Sequence, residues 1–428
     1  MNRPAPAALI LSATLCALLL VPGCAPGGNK AGARQPVVFW QFFPSEQIGS
    51  VLDEFRSANR DLDVRMEQLT WDSGQEKITA AVAAGTVPDL CDLGSTWFPR
   101  FAQQGALLDI TDSTASLRDR FTHWDLAEAG GRTYGLPWVV GTRALFWNKA
   151  LFARARVDTS RAPETWDELL TACRKVNALG GGVAGYGVNA GERYVLFKKF
   201  MPYAWGNGGT ILAPDLKSST FDSPENVRAL ELYLALAKVG LVDRQSQLDE
   251  AFLEGKLGAE ISGAWLFRKI PQQAPDLAYG VALVPKPAAN RGSHASFAGG
   301  ELLVSFRASK NPSGAWRLAR FLASKDAALV LSRANQSVFP AAVGALDDAY
   351  YASRPRERVL LEQLVTAVPT PNHPDWLDME GAIEDAVEGA LYRKATAAQA
   401  IHAAYEKIDA IARKAAGSAG TAAAAGAK

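Results

Sequence analysis

The side chains here best suited to chemistry are aromatic and hydrogen-bonding rather than nucleophilic. Of the 11 tryptophans, Trp40, Trp97, Trp138, Trp205 and Trp265 fall at the ends of strand-like runs or just after them. Open α/β sheets bind ligands at the carboxyl edges of their strands. A flat indole placed there covers the apolar C–H face of a polyhydroxylated ring, and neighbouring polar groups orient its hydroxyls. A strand-end tryptophan serves equally as a core plug, and the sequence leaves both roles open at each position.

Catalytic signatures fail on context. Gly180-Gly-Gly-Val-Ala-Gly185 spells the dinucleotide fingerprint GxGxxG. It follows a helical pattern and precedes an extended one, whereas a dinucleotide loop must run from strand to helix so that the helix N-terminus faces the pyrophosphate. A helix end and turn is the better reading. The chain has no Walker loop, GxSxG elbow, HExxH or paired CxxC, and its four histidines are too dispersed for a metal cluster. Neither a catalytic residue, a metal nor a cofactor is expected.

The elements that must position these residues alternate between strand and helix, the pattern of α/β domains with helices on both faces of a sheet. Residues 37–40, 64–69 and 89–93 read as strands, with helices at 46–58 and 74–84 between them. Gly131 and Arg132 suit a tight turn, and Pro137 pushes Leu136 out of helical space. The pattern restarts with a strand at 144–148 and helices at 163–179, 224–239 and 247–253. Thr165 and Glu168 form a capping box opening the first of these helices. A strand at 297–306 and a helix at 312–324 follow, then helical composition at 350–364 and 379–415.

Three punctuated blocks recur in fixed order: Gly131-Arg-Thr-Tyr-Gly-Leu-Pro-Trp138, Leu145-Phe-Trp-Asn-Lys149 and Ala162-Pro-Glu-Thr-Trp-Asp-Glu-Leu169. Others flank them, including Val37-Val-Phe-Trp40, Ala84-Gly-Thr-Val-Pro-Asp-Leu90, Gly94-Ser-Thr-Trp97, Met201-Pro-Tyr-Ala-Trp-Gly-Asn-Gly-Gly209, Gly263-Ala-Trp265 and Phe297-Ala-Gly-Gly-Glu301. Together they resemble the extracellular solute-binding proteins that feed bacterial ABC importers, specifically the sugar-binding group that includes the maltose-binding proteins. The resemblance covers most of the chain.

It implies an α/β, two-lobed periplasmic-binding-protein fold, with discontinuous lobes joined by a multi-strand hinge. It also implies a receptor that captures a di- or oligosaccharide between the lobes and hands it to a permease. By the same mapping, ligand contacts fall at Gln41, Phe43 and Glu46, where the first strand meets the first helix, and at Ser95 and Thr96. The resemblance favours Trp138, Tyr203, Trp205 and Trp265 as cleft residues, Trp205 being held in a glycine-rich loop. Gly299 and Gly300 let backbone approach ligand closely; Glu301 is a contact or a solvated hinge residue. Where many relatives read Pro-Trp-x-x-Asp, this chain reads Pro137-Trp-Val-Val-Gly141, so a carboxylate that grips sugar hydroxyls is missing. Arg143 is either a polar partner for ligand or a structural ion-pair residue. Two other readings stand beside this one: a receptor for another polar solute, such as a glycerophosphodiester or polyol, and a surface carbohydrate-active enzyme. The enzyme needs two carboxylates about 5 to 9.5 Å apart, and no motif offers them.

The N-terminus fits export. Arg3 precedes an apolar run at 7–21, too short for a span of about 20 residues. Val21-Pro-Gly-Cys24 resembles a lipobox, making Cys24 the lipidated N-terminus of a protein at the periplasmic or extracellular face of the cell envelope. The 45 basic and 44 acidic residues leave a net charge of +1 and form no basic stripe, which excludes a nucleic-acid partner. The expected organisation is a signal peptide at 1–23, a tether at 24–36, lobe I at 37–140 and 293–338, and lobe II at 141–292 and 339–415. A disordered tail at 416–428 completes a monomer that meets membrane only through its lipid. Cys91 and Cys173 read as separate core thiols.

Overall fold

A computed structural model describes residues 34–426, with side chains to residue 416. The expected signal peptide and Cys24 lie outside the described residues. Among those described, no helix is long and apolar enough to cross a membrane.

The chain opens with three strands, β1 (Gln35–Gln41), β2 (Leu62–Gln68) and β3 (Leu90–Gly94), joined by helices Ser45–Ala58 and Gly74–Ala84. β1 pairs parallel to both neighbours. A small hairpin, β4 (Glu128–Ala129) and β5 (Arg132–Thr133), turns through Gly130 and Gly131. Both glycines sit at positive φ, 58° and 73°, the backbone that a two-residue hairpin loop needs. β6 (Gly135–Gly141) ends the first passage through this lobe.

A second sheet is then built from β7 (Ala144–Asn148), β8 (Ala184–Asn189), β9 (Gly240–Asp243), β10 (Leu257–Ser262) and β11 (Tyr279–Ala282), in the order β11-β7-β10-β8-β9. The chain returns through β12 (Ser296–Val304), which lies antiparallel between β3 and β6. β13 (Phe339–Pro340) pairs with β6, and β14 (Ala367–Pro369) runs parallel to the start of β12. The first sheet therefore reads β13-β6-β12-β3-β1-β2. Placing all residues from 339 in the second lobe needs correction: β13 belongs to the first sheet, and Phe121 bridges Ala342 there. The chain recrosses before helix Pro355–Val365, which packs on β11 and β7.

Both faces of each sheet are covered. One apolar cluster joins Trp40, Cys91 and Leu93 with Leu145 and Trp147. Another joins Val37, Phe39 and Leu90 with Phe146 and Leu257. Adjacent residues of one strand feed opposite clusters, as period-two geometry requires, and parallel strands buried on both faces read as nearly continuous apolar runs. Cys91 and Cys173 are both buried and free, one in each lobe.

Local chemistry explains several helix ends. Thr165 Oγ1 accepts the Glu168 N–H at 3.4 Å, while Glu168 Oε2 accepts the Glu164 N–H at 2.8 Å, so the capping box forms with its return bond one residue early. After that helix, Trp166–Asn177, the glycine run adopts φ of 67°, 64° and 79° at Gly180, Gly181 and Gly182 and leads directly into β8. It is a turn from helix to strand. The C-terminal segment differs from expectation, because residues 416–426 continue the helix Ala397–Gly426. Alanine has the highest helix propensity of the residues, and the tail is dominated by it.

Candidate ligand-binding site

The carboxyl edge of the first sheet carries a cluster of three aromatics. Phe42 follows β1, Trp71 follows β2 and Trp97 follows β3. Phe42 and Trp71 stack with centroids 4.2 Å apart and planes 18° from parallel, and Trp97 closes the group at 5.8 and 5.3 Å. Phe42 and Trp97 are buried, whereas Trp71 is 50% exposed. Gly94 lies against the cluster, where a Cβ would be in ordinary contact with Trp71 at 3.4 Å. The result is a large indole face supported from behind and open in front.

Beside it lies an acid pair. Gly94 is opposite Glu301 and Asp92 is opposite Leu303 in the β3–β12 register, which puts Asp92 and Glu301 on one face of the sheet. The two buried carboxyls perturb each other, which disfavours ionising both. Burial pushes Glu301 up to about 7, and burial followed by the neighbouring Glu301 charge holds Asp92 well above its ordinary value. Asp92 Oδ2 accepts the Phe42 N–H at 3.4 Å, and Glu301 Oε2 is buried without a partner. Ser95 is tied to Gly300 in both directions: Ser95 N–H donates to Gly300 O at 2.9 Å, and Ser95 Oγ accepts the Gly300 N–H at 3.1 Å. A Cβ on Gly300 would lie 2.6 Å from Val139 O, so glycine is required there by sheet packing.

The hinge supplies the floor. Thr142 Oγ1 donates to Phe297 O and Ser296 Oγ donates to Arg143 O, both at 2.7 Å, stitching the β6–β7 crossover to the start of β12. Arg143 lies over Trp265 at 4.8 Å and Phe297 at 5.6 Å from the ring centroids. Trp265, just after β10, is half-buried and donates its indole N–H to Asp249 Oδ2 at 2.9 Å. That carboxylate also accepts from Lys269 at 2.7 Å, while its other oxygen accepts from Gln245 and Ser262.

Other expected contacts are placed elsewhere. Trp138 is 1% exposed and gives its indole N–H to Leu322 O at 3.0 Å, with Phe43 packed edge-on at 5.2 Å. Both belong to the core under the helix Pro312–Leu322, because β6 lies inside the sheet and that face is covered. Tyr203 is fully buried, with its hydroxyl 2.6 Å from that of Tyr186, in the core of the second lobe. Trp205 belongs to helix Phe197–Gly206 rather than a loop, and packs edge-on to Phe197 at 5.6 Å. The glycines after it end the helix, Gly208 taking φ 91°.

Gln41 is buried and satisfies the turn by donating to Phe43 O at 2.8 Å. Trp40 is buried with Lys77 over its ring at 4.7 Å. Glu46 is exposed on the first turn of its helix, and Thr96 is half-buried beside Trp97. Of the expected residues, the structure thus brings Trp97, Ser95, Thr96, Gly299, Gly300 and Glu301 to one edge, and Arg143 and Trp265 to the hinge. Sequence reasoning missed Trp71, whose signal was the same as that of the other tryptophans: it stands just past a strand end. It also missed Asp249, which carries no local signal. A groove of about 320 Å³ lined by Val157, Asp158, Arg161, Pro163, Glu168 and Lys175 shares no residue with this region.

Residues 45–329 match the family of bacterial extracellular solute-binding proteins, and the chain belongs to it. Over 411 residues it is 26% identical to the maltodextrin-binding protein MdxE of Bacillus subtilis (strain 168), covering 93% of this chain and 96% of that one. It is 24% identical to a maltooligosaccharide ABC transporter solute-binding lipoprotein of Streptococcus pneumoniae serotype 4, covering 94% and 97%. Among solved structures, an ABC transporter solute-binding protein of Thermotoga lettingae bound with alpha-D-tagatose superposes with a TM-score of 0.79 at 27% identity, covering 88% of this chain and all of that one. These relatives are binding proteins, and the two-lobed fold is shared with them.

Proposed function

We propose that this protein is the substrate-binding lipoprotein of an ABC transporter, capturing a sugar in the cleft between its lobes and delivering it to a membrane permease. The observation that carries the reading is Trp71, a half-exposed indole braced by Phe42 and Trp97 at the strand edge where α/β receptors bind. Glu301 and Trp265 supply polar and aromatic groups around the same cleft. The maltodextrin- and maltooligosaccharide-binding relatives agree with a di- or oligosaccharide ligand. The streptococcal relative, named as a lipoprotein, supports anchoring through Cys24 at the cell envelope.

Closure on ligand is a population shift, because contacts to both lobes stabilise the closed state over the open one. The protein acts without catalysis. Asp92 and Glu301 are both held towards their neutral forms by burial, whereas a glycosidase pairs an acid with an ionised carboxylate. Titration calorimetry with maltooligosaccharides tests the platform. Trp71→Ala weakens binding by roughly 1 to 3 kcal/mol, the scale of losing an aromatic contact, and leaves the melting temperature nearly unchanged. Undiminished affinity in that variant counts against Trp71 as platform, and turnover of the sugars counts against a receptor.

A further inference from the structure

Three basic side chains meet at the hinge floor. Arg143, Lys198 and Lys199 gather around two rings: Arg143 and Lys199 over Trp265 at 4.8 and 5.2 Å, Arg143 and Lys198 over Phe297 at 5.6 and 5.2 Å. Lys198 and Lys199 lie in the first turn of helix Phe197–Gly206, whose Phe197 N–H is taken by the Glu384 carboxylate at 3.2 Å. Lys199 is 3% exposed and donates to Ile261 O at 2.8 Å. No ion pair to any of these three cations forms among the described residues.

Carboxylates of Glu192, Asp249, Glu260, Glu380 and Glu384 face these cations without coming within ion-pairing distance of them, and each is held by other groups or by burial. Asp249 is taken by Lys269, Trp265, Gln245 and Ser262. Glu384 accepts the backbone N–H groups of Tyr194 and Phe197, and Glu192 accepts from Asn189 and Gln245. Glu260, fully buried against Gln245, and Glu380, also fully buried, are held up towards their neutral forms by burial. Burial lowers Lys198, lowers Lys199 to about 7 and lowers Arg143 to about 10, so the Arg143 guanidinium stays charged at neutral pH while Lys199 does so only in part, and a buried guanidinium without an ion pair is costly until a partner arrives.

Arg143 shows where that partner fits. Its Nη1 donates to Thr142 O at 3.0 Å, Nε is buried with no acceptor, and Nη2 has no protein acceptor. The Nε–Nη2 edge of a guanidinium is one of the forks that binds a carboxylate or phosphate through two parallel hydrogen bonds. An orphaned buried donor on this edge is the feature a ligand oxygen pair would satisfy.

We propose that the ligand is anionic, a polyhydroxylated molecule bearing one carboxylate or phosphoryl group, and that Arg143, flanked by Lys198 and Lys199, is the determinant that selects it. This rests on the receptor reading above and sharpens it from sugar to acidic sugar. The two anionic groups share the same recognition chemistry, and the test separates them.

Calorimetry at low salt compares a disaccharide containing a hexuronic acid, its neutral parent disaccharide and the zwitterion glycerophosphocholine, which carries its anionic group as a phosphodiester. The expected result is that an anionic probe binds the wild type on the order of ten- to a hundredfold more tightly than the neutral parent, the range for charge-assisted hydrogen bonds. Arg143→Gln abolishes that preference, Arg143→Lys keeps part of it, and rising salt reduces it. Melting curves check that each variant is folded, and the wild-type comparison stands without them. Equal or tighter binding of the neutral parent overturns the anion inference while leaving a sugar receptor. Binding of glycerophosphocholine alone, dependent on Arg143, supports the anion inference and overturns the sugar reading. Failure of every anionic probe to bind at millimolar concentration overturns the anion inference.

Discussion

Asp92 and Glu301 make stability at this edge depend on pH, because burial raises both carboxyls. Burial holds the folded Glu301 carboxyl at about 7, above the ordinary 4.5. A carboxyl raised in this way binds more protons folded than unfolded, so its contribution is fully present below about pH 4.5 and is lost as pH rises through about 7. Asp92, raised by burial and by Glu301, pushes the same way. Glu301→Gln removes the titration and keeps a hydrogen-bonding side chain. Melting temperatures measured at about pH 5 and about pH 8 should therefore show the variant gaining on the wild type as pH rises. A parallel pH response in both proteins would mean that Glu301 does not titrate in this range. Glu301 was legible in the sequence from its place after Gly299 and Gly300. Its partner was not, because Asp92 reaches it only through the β3–β12 register.

Helix Phe197–Gly206 shows how an element changes the meaning of a residue. Glycines around Trp205 suggested a loop, yet they terminate a helix whose residues are buried almost throughout. Gly206 is small for a further reason, since a Cβ there would meet Ser293 O at 2.9 Å. Trp205→Ala should consequently lower stability, by about 3 to 5 kcal/mol for a large buried aromatic, and should change ligand affinity little in the protein that remains folded. Chemical denaturation against calorimetry separates the two effects. Normal stability with lost binding would return Trp205 to the cleft. β6 carries the same lesson. Its apolar run announced a strand, but only pairing to β12 on one side and β13 on the other made it interior and turned Trp138 into a core residue.

At the scale of the molecule, the chain passes between the two sheets at residues 141–144, again before β12, and a third time between β13 and helix Pro355–Val365. Three crossings allow bending yet restrict its direction, because each absorbs only a few dihedral changes. The Thr142 and Ser296 side-chain bonds tie two of the crossings together, so they should move as one. Small-angle scattering should show a smaller radius of gyration once ligand saturates the site. An unchanged radius at saturation would describe a rigid pocket and remove the mechanical signal a permease would read.

The family resemblance implied the return of the chain at β12, and the sequence alone determined the alternation of strands and helices and the restart of the pattern near residue 144. These follow from local periodicity, caps and turns, as at Thr165, Gly130 and Gly180. Tertiary structure decided which aromatics stay open: Trp71, just past the end of β2, is half exposed, whereas Trp138 sits mid-strand in β6 and is buried by its neighbours. It also decided that Arg143 lacks a counter-ion. The carboxylates near it come from distant positions such as Asp249 and Glu384, and what each of them binds instead is set by packing across the lobe, which no local pattern encodes.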